Sequence, residues 1–200
     1  MSYIPEPIEK LARQLSRLPG LGIKTAYRIA FYIVDSGAVN TQELTETLNE
    51  AKKRIRLCDR CYGYAVDGCC YICSDRTRDK HSICVVERPH DVFIMERSAF
   101  KGEYHVLHGV ISPLDGVGPF DIKLQELFDR MKKDLVKELI IALDPNVEGD
   151  ATTIYIANTA SKMGVKVSRL ARGVPAGASI DYIDDTTLSR AIEERQEVLC

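Results

Sequence analysis

The residues with the clearest chemistry are cysteines in two Cys-x-x-Cys pairs. Cys58 and Cys61 form the first pair, Cys70 and Cys73 form the second, and eight residues separate the pairs. Four thiolates at this spacing make the closed tetrahedral shell of a structural zinc site, which leaves no open position for catalysis. Cys69 is left out of the predicted shell because only Cys70 repeats the spacing of the first pair. The alternative is a set of buried or redox-active cysteines, and the paired spacing favours one structural zinc ion per chain.

A second candidate site is the stretch LPGLGIKTAYRIA at residues 18–30. Gly20 and Gly22 are expected to let the backbone pack closely and to leave free N–H groups at the start of a helix, where the helix dipole favours an anion. Lys24 and Arg28 are four residues apart, so they share a helix face beside that terminus. The stretch resembles a helix-hairpin-helix element, a module that contacts DNA phosphates, and these four residues are the predicted contacts. A tight helix–helix turn without a ligand is the alternative.

Carboxylates end two predicted strands, Ile83–Glu87 and Glu138–Asp144. In parallel sheets, functional residues gather at the carboxyl ends of the strands. The arrangement resembles the Toprim fold, whose acids hold Mg²⁺ in topoisomerases and primases because hard oxygen ligands suit that ion. Asn146 stands where the second acid of an Asp-x-Asp pattern would be, although Glu148 and Asp150 follow and could compensate.

We predict that these acids dock a protein partner, and a vestigial magnesium site is the alternative. Acids near strand ends repel phosphates unless a divalent ion neutralises them, whereas they suit a basic partner surface. A third interpretation is structural, with Asp150 capping the helix that follows and Glu148 solvated. The predicted docking residues are Glu87, Asp144, Glu148 and Asp150.

Composition is that of an ordinary globular chain of 200 residues, 45% hydrophobic and 28% charged. No run of 18 apolar residues is present, so we expect no membrane span, and the first residues lack an apolar leader. Cysteines in metal spacing favour a reducing cytoplasm over a disulfide scaffold. Residues 1–57 hold nine Lys/Arg against six Asp/Glu, whereas the rest holds eighteen against twenty-three. A polyanion would therefore favour the N-terminal part.

Hydrophobic periodicity predicts a helical N-terminal third and an α/β remainder on either side of the cysteine module. Asn40 is the predicted cap of a third N-terminal helix that buries Leu44, Leu48, Ala51 and Ile55. Its basic last turn fits a DNA contact and a solvated face equally well. Apolar strands alternate with helices after the cysteines, which predicts a mainly parallel sheet covered on both faces. The predicted elements are helices at Lys24–Asp35, His90–Ser98, Asp121–Lys133, Asp150–Met163 and Thr186–Glu194, with further strands at Tyr104–Leu107 and Lys166–Leu170.

The order of helix-hairpin-helix, four-cysteine loop and Toprim-like region resembles one family, the bacterial recombination mediator RecR. The motifs span nearly the whole chain, and the departures are Cys69 and the acid pattern DPNVEGD. The domains that the resemblance implies are a helix-hairpin-helix region at 1–57, a zinc finger at 58–81, a Toprim domain at 82–172 and a C-terminal segment for oligomer contacts at 173–200. The matching stretches are LPGLGIKTAYRIA, the paired cysteines, Arg78–Glu87, His108–Pro119 and Arg172–Glu197.

The resemblance implies a protein that binds single- and double-stranded DNA in the cytoplasm at the nucleoid, without known turnover. Its implied partners are RecO and RecF, with which it helps RecA replace single-strand-binding protein, and its own copies in a dimer or tetramer ring. The competing class is a Mg²⁺-dependent Toprim enzyme. The missing second acid, and the lack of a nucleophile with a supporting base, argue against that class. No GxxxxGK[ST] motif occurs in the chain, so we reject an ATPase.

Overall fold

The computed structural model describes residues 3–37 and 39–195. Its contacts divide the chain into two compact units, unit 1 at Met1–Ile55 and unit 2 at Arg56–Cys200. Residues 196–200, the end of the predicted C-terminal segment, lie outside the described residues. Among the helices that the structure describes, none is long and apolar enough to cross a membrane.

Unit 1 consists of three helices, α1 (Glu6–Leu15), α2 (Ile23–Asp35) and α3 (Thr41–Arg54). The first two pack through small side chains, because Ala12, Ala26 and Ala30 are all completely buried. Alanines at a helix–helix contact let the two backbones approach closely and cost no side-chain entropy. Ile23, at the start of α2, is half exposed.

Helix α3 has the predicted cap but not the predicted burial. The Asn40 side chain accepts a hydrogen bond from the Glu43 amide at 3.1 Å, as expected of an N-cap. Leu44, Leu48 and Ile55 are exposed by 45%, 62% and 40%, and no residue of α3 is buried. The prediction that this apolar stripe is buried, Ala51 included, is therefore wrong for a single chain. The stripe has helical spacing, but the described part of unit 1 leaves its side chains largely exposed.

Unit 2 begins with the cysteine module. Two short antiparallel strands, β1 (Arg56–Leu57) and β2 (Tyr64–Ala65), form a hairpin, and the one-turn helix α4 (Tyr71–Ser74) follows. A four-stranded parallel sheet comes next, in the order β4-β3-β5-β6. Its strands are β3 (Asp79–Val86), β4 (Gly102–Val106), β5 (Glu138–Ala142) and β6 (Lys166–Arg169).

Helices cover both faces of this sheet, as predicted. Along β3, Ile83 and Val85 belong to one buried cluster, whereas Cys84 and Val86 belong to another. Successive side chains of a strand point to opposite faces, so a strand buried on both faces is apolar throughout. The helices are α5 (Pro89–Met95), α6 (Leu124–Lys133), α7 (Val147–Ser161) and α8 (Asp185–Glu193), with single 3₁₀ turns at Pro113–Asp115 and Ile180–Tyr182.

The start of α7 differs from the prediction in a way that matters for the site. The helix begins at Val147 rather than Asp150, because Asn146 is its cap and accepts a hydrogen bond from the Gly149 amide at 2.8 Å. A Cβ on Gly149 would lie 2.1 Å from the carbonyl oxygen of Asp144, so the turn requires glycine there. The strand end and the helix start are therefore held in contact.

Candidate metal centre and nucleic-acid interface

The four predicted zinc ligands converge on one point. The sulfur atoms of Cys58, Cys61, Cys70 and Cys73 all lie within 4.8 Å of one another. The first three residues are buried and Cys73 is half buried, whereas Cys69 is exposed and lies outside the cluster. Among the described residues, this is the one group of His, Cys, Asp or Glu side chains that could hold a metal ion.

Backbone hydrogen bonds shape the cluster. The Cys58 carbonyl accepts from the Tyr62 amide at 3.0 Å, and the Cys58 amide donates to the Gly63 carbonyl at 2.7 Å, which folds the first pair into a tight turn. Amides also point at the sulfurs, since Cys70 N–H donates to Cys58 Sγ at 3.3 Å and Gly63 N–H donates to Cys61 Sγ at 3.4 Å. Amide donors of this kind stabilise thiolates rather than thiols.

Hydrogen bonds among the four cysteines shift their pKa values in opposite directions. Hydrogen bonds from Cys61, Cys70 and Cys73 lower the pKa of Cys58 far below its usual range. The hydrogen bond with Cys58 raises the pKa of Cys61 far above it. Four thiolates this close together repel one another, and a divalent cation would offset that repulsion. An all-sulfur donor set is typical of zinc, so the residues present fit a structural zinc ion.

The turn between α1 and α2 presents the features of an anion site. Gly20 has φ of 80°, a conformation that strongly favours glycine. Gly22 is the N-cap of α2, no side chain caps that terminus, and the first turn carries no acidic residue. Lys24 and Arg28 are both exposed beside it. A Cβ on either glycine would meet no atom within 4 Å, so the expected close packing of the backbone is wrong and the terminus is open instead.

The acidic edge lies at the carboxyl ends of neighbouring strands. Glu87 directly follows β3, Asp144 follows β5 by two residues, and β3 pairs with β5. Both acids line a cavity of about 250 Å³ together with Asp91 and apolar side chains. Asp144 is 66% exposed, and its Oδ2 lies 3.9 Å from Nη2 of Arg88.

The other two predicted acids lie in the first turn of α7. Asp150 does not cap the helix, because Asn146 does, so that structural interpretation is wrong. The Asp150 carboxylate instead accepts two hydrogen bonds from Arg172, which lower its pKa. Glu148 is half exposed. Within the described part of the chain, the four predicted acids do not approach one another closely enough to form a metal-binding group.

Comparison with known proteins finds matches along nearly the whole chain. The model of the Toprim domain matches residues 81–171, that of the RecR helix-hairpin-helix region matches residues 8–52, and that of the RecR C-terminal region matches residues 173–196. Recombination protein RecR of Desulfatibacillum aliphaticivorans is 45% identical over 196 residues, which is 98% of each chain. Its counterpart from Bdellovibrio bacteriovorus is 46% identical over 198 residues, 96% of this chain and 97% of the relative. The chain belongs to the RecR family.

Family membership confirms the predicted fold class and the resemblance drawn from the motifs. The RecR-family chain combines a helix-hairpin-helix domain, a Toprim domain with a parallel four-stranded sheet, and a four-cysteine cluster suited to zinc.

Sequence reasoning missed the roles of Asn146 and Arg172 in this RecR-family chain. Asn146 looked like a missing acid but is a helix cap, and Arg172 looked like part of a motif but pairs with Asp150. The preference of Asn for the N-cap position was an available signal for Asn146. Nothing local marks the role of Arg172, since 22 residues separate the partners.

Proposed function

We propose that this RecR-family chain is a non-catalytic, zinc-containing DNA-binding mediator of recombinational gap repair. In this proposal it forms a clamp-like oligomer and acts with RecO and RecF to help load RecA on single-stranded DNA coated with single-strand-binding protein. Its place of action is the cytoplasm, at the nucleoid. The observation that carries the proposal is the open, uncapped start of α2 beside Lys24 and Arg28, in a chain of this family.

Phosphate is the ligand that fits this terminus best. Free amides at a helix start point along the axis toward the ligand and the helix dipole adds positive potential, so a negatively charged oxygen is stabilised there. Gly20 and Gly22 place no Cβ in the way, and the two cations add long-range attraction. None of these groups reads a base, so the site would bind single- and double-stranded DNA without sequence preference.

A second copy of the chain is the proposed cover for the apolar stripe of unit 1. Leu44 and Leu48 are exposed along α3, and the hydrophobic residues buried within the described part of unit 1 are three alanines. A region of this size with so little core gains stability from association. Self-association through unit 1 agrees with a dimer or tetramer ring, with the C-terminal segment supplying further contacts.

The acidic edge is proposed as the docking surface for a basic partner, RecO in the first instance. Glu87 and Asp144 border an open cavity with apolar walls, which suits a basic side chain and its aliphatic stem. Two features of the acids disfavour a magnesium-dependent nuclease. Asp144 lies near Arg88, and Asp150 is neutralised by Arg172. Supercoiled plasmid incubated with the chain and Mg²⁺ or Mn²⁺ should stay intact, and cleavage lost in Glu87→Ala would replace this proposal with the enzymatic one.

The DNA proposal is tested by fluorescence anisotropy on labelled single- and double-stranded oligonucleotides over a salt titration. Lys24→Ala/Arg28→Ala should weaken binding to both and reduce the log–log salt slope by about one unit per lost contact. Lys10→Ala/Arg13→Ala is the matched control, because it removes two cations from exposed positions of α1 in the same unit. Equal behaviour of the two double variants would show that the α1–α2 turn has no DNA-binding role.

A further inference from the structure

One edge of the sheet in unit 2 is covered by the cysteine module. Strand β4 is the first strand in the order β4-β3-β5-β6, so one of its sides faces away from β3. On that side, the Val106 amide donates to the Cys61 carbonyl at 2.8 Å, and the Tyr104 carbonyl accepts from Nη1 of Arg130 at 2.5 Å. Open strand edges are templates for pairing with other chains, and these two bonds occupy part of this edge.

The turn of the first cysteine pair lies tightly against this strand. The Tyr62 carbonyl lies 2.8 Å from Nε2 of His108, just past the end of β4. The Tyr62 ring meets His105 edge-on, with ring centroids 5.5 Å apart. A Cβ on Gly63 would lie 3.3 Å from Cys61 Sγ and 3.8 Å from a methyl group of Val106, so glycine keeps the turn close to the strand.

Arg60, inside the first cysteine pair, reaches a carboxylate that is completely buried on β4. Oε2 of Glu103 accepts from Nε and Nη2 of Arg60 at 3.0 and 2.8 Å, and from Arg130 on α6. Asp134 completes the group, with its Oδ2 3.1 Å from Arg60 and 3.2 Å from Arg130. Two cations balance two anions, so loss of Arg60 would leave a net negative charge around a carboxylate, Glu103, that is completely buried.

We infer that Arg60 couples metal loading of the cysteine cluster to closure of the β4 edge of the sheet. The inference rests on the proposed zinc site. Arg60 and the Cys61 carbonyl belong to the turn that the metal would hold, and both contact β4 directly. The arginine is therefore a positioning residue that carries the stabilisation from the cysteine module into the sheet. An emptied module would release the Val106 amide and remove one of the two cations from Glu103.

The first test compares zinc-loaded Arg60→Met with zinc-loaded Arg76→Met by hydrogen exchange. Arg76 is exposed and follows Cys73 by three residues, so its replacement removes the same charge from the same module. Arg60→Met should keep its zinc but raise exchange across residues 102–106 on the order of 100-fold, with a melting temperature lower by about 10 °C. Arg76→Met should match wild type. Equal exchange in the two variants would overturn the inference.

The second test removes zinc from the wild-type chain with a chelator while metal content is measured. The Val106 region should lose protection before β6, the opposite edge strand, which has no bond to the cysteine module among the described residues. The inference would fail if β4 and β6 lost protection together and if Arg60→Met exchanged like wild type. That pair of results would show that the cysteine module does not act on β4 through Arg60. A chain that never contains zinc would refute the proposed metal site, whereas the comparison of Arg60→Met with Arg76→Met would still decide whether Arg60 closes the edge.

Discussion

The two units of the chain differ in the size of the side chains that form their hydrophobic cores. Unit 2 buries a continuous set of large side chains on both faces of its sheet, and its buried charges are paired within the unit. Within its described residues, unit 1 buries three alanines and leaves Leu44 and Leu48 of α3 exposed. The difference supports the proposal that association covers the apolar stripe of unit 1, whereas unit 2 has a large core of its own.

The largest effect should come from removing a zinc ligand in unit 2. Structural zinc in small modules contributes roughly 10–16 kcal/mol of apparent binding free energy that becomes folding free energy. Cys70→Ser should therefore lose zinc and yield insoluble or unfolded protein. Cys69→Ser, at the exposed neighbouring position, should retain one zinc ion per chain and a wild-type melting curve. Metal analysis and circular dichroism measure both, and equal damage would contradict the ligand assignment.

Two leucine truncations, one in each unit, test whether the core of unit 1 depends on association. Leu139 on β5 is completely buried, whereas Leu48 on α3 is 62% exposed. Leu139→Ala should cost about 2–5 kcal/mol of unfolding free energy because it leaves a cavity. Leu48→Ala should change the stability of the single chain by less than about 0.5 kcal/mol, yet weaken self-association. Denaturant titration and light scattering at several concentrations separate the two effects. Unchanged association in Leu48→Ala would remove α3 from the interface.

The smallest effect should come from the four proposed docking acids, because only partner binding is expected to depend on them. They are Glu87, Asp144, Glu148 and Asp150. Glu148→Lys should weaken binding to RecO in a pull-down, while binding to naked DNA stays the same or tightens slightly because a repelling charge is lost. Asp185→Lys is the control, since it reverses a charge in the first turn of another helix of unit 2. Asp150 is a poorer probe, because its reversal also breaks the pair with Arg172. Equal RecO binding by both variants would exclude Glu148 from the docking surface.

Patterns within a short stretch of sequence predicted the parts of the molecule that short-range physics determines. The paired cysteines, the Asn40 cap and the buried runs of β3 and β5 are of this kind, and each lies where its spacing indicated. The stripe on α3 was predicted correctly as helical and wrongly as buried. Helical spacing identifies an apolar face but not the surface that covers it, which for this helix is proposed to be another copy.

Contacts between distant residues were beyond local patterns. Asp150 and its partner Arg172 are 22 positions apart, and Glu103 is 43 positions from Arg60 and 27 from Arg130. No periodicity or spacing signals such partners, because only the folded topology brings them together. The carboxylates at the strand ends illustrate both cases. The place of Glu87 and Asp144 at one edge of the sheet follows from parallel topology, but the nearness of Asp144 to Arg88 does not.

The most direct test of the account is retention of the wild-type chain on circular against linear DNA. Light scattering and gel filtration would compare a nicked circle with the same DNA after linearisation, first at low salt and then at high salt. A clamp closed by association of unit 1 should stay on the circle at high salt and leave after the DNA is linearised. The Leu48→Ala variant should not be retained on either DNA. Equal loss from circular and linear DNA, with the chain a single copy throughout, would contradict the proposal that association completes unit 1 and encloses DNA.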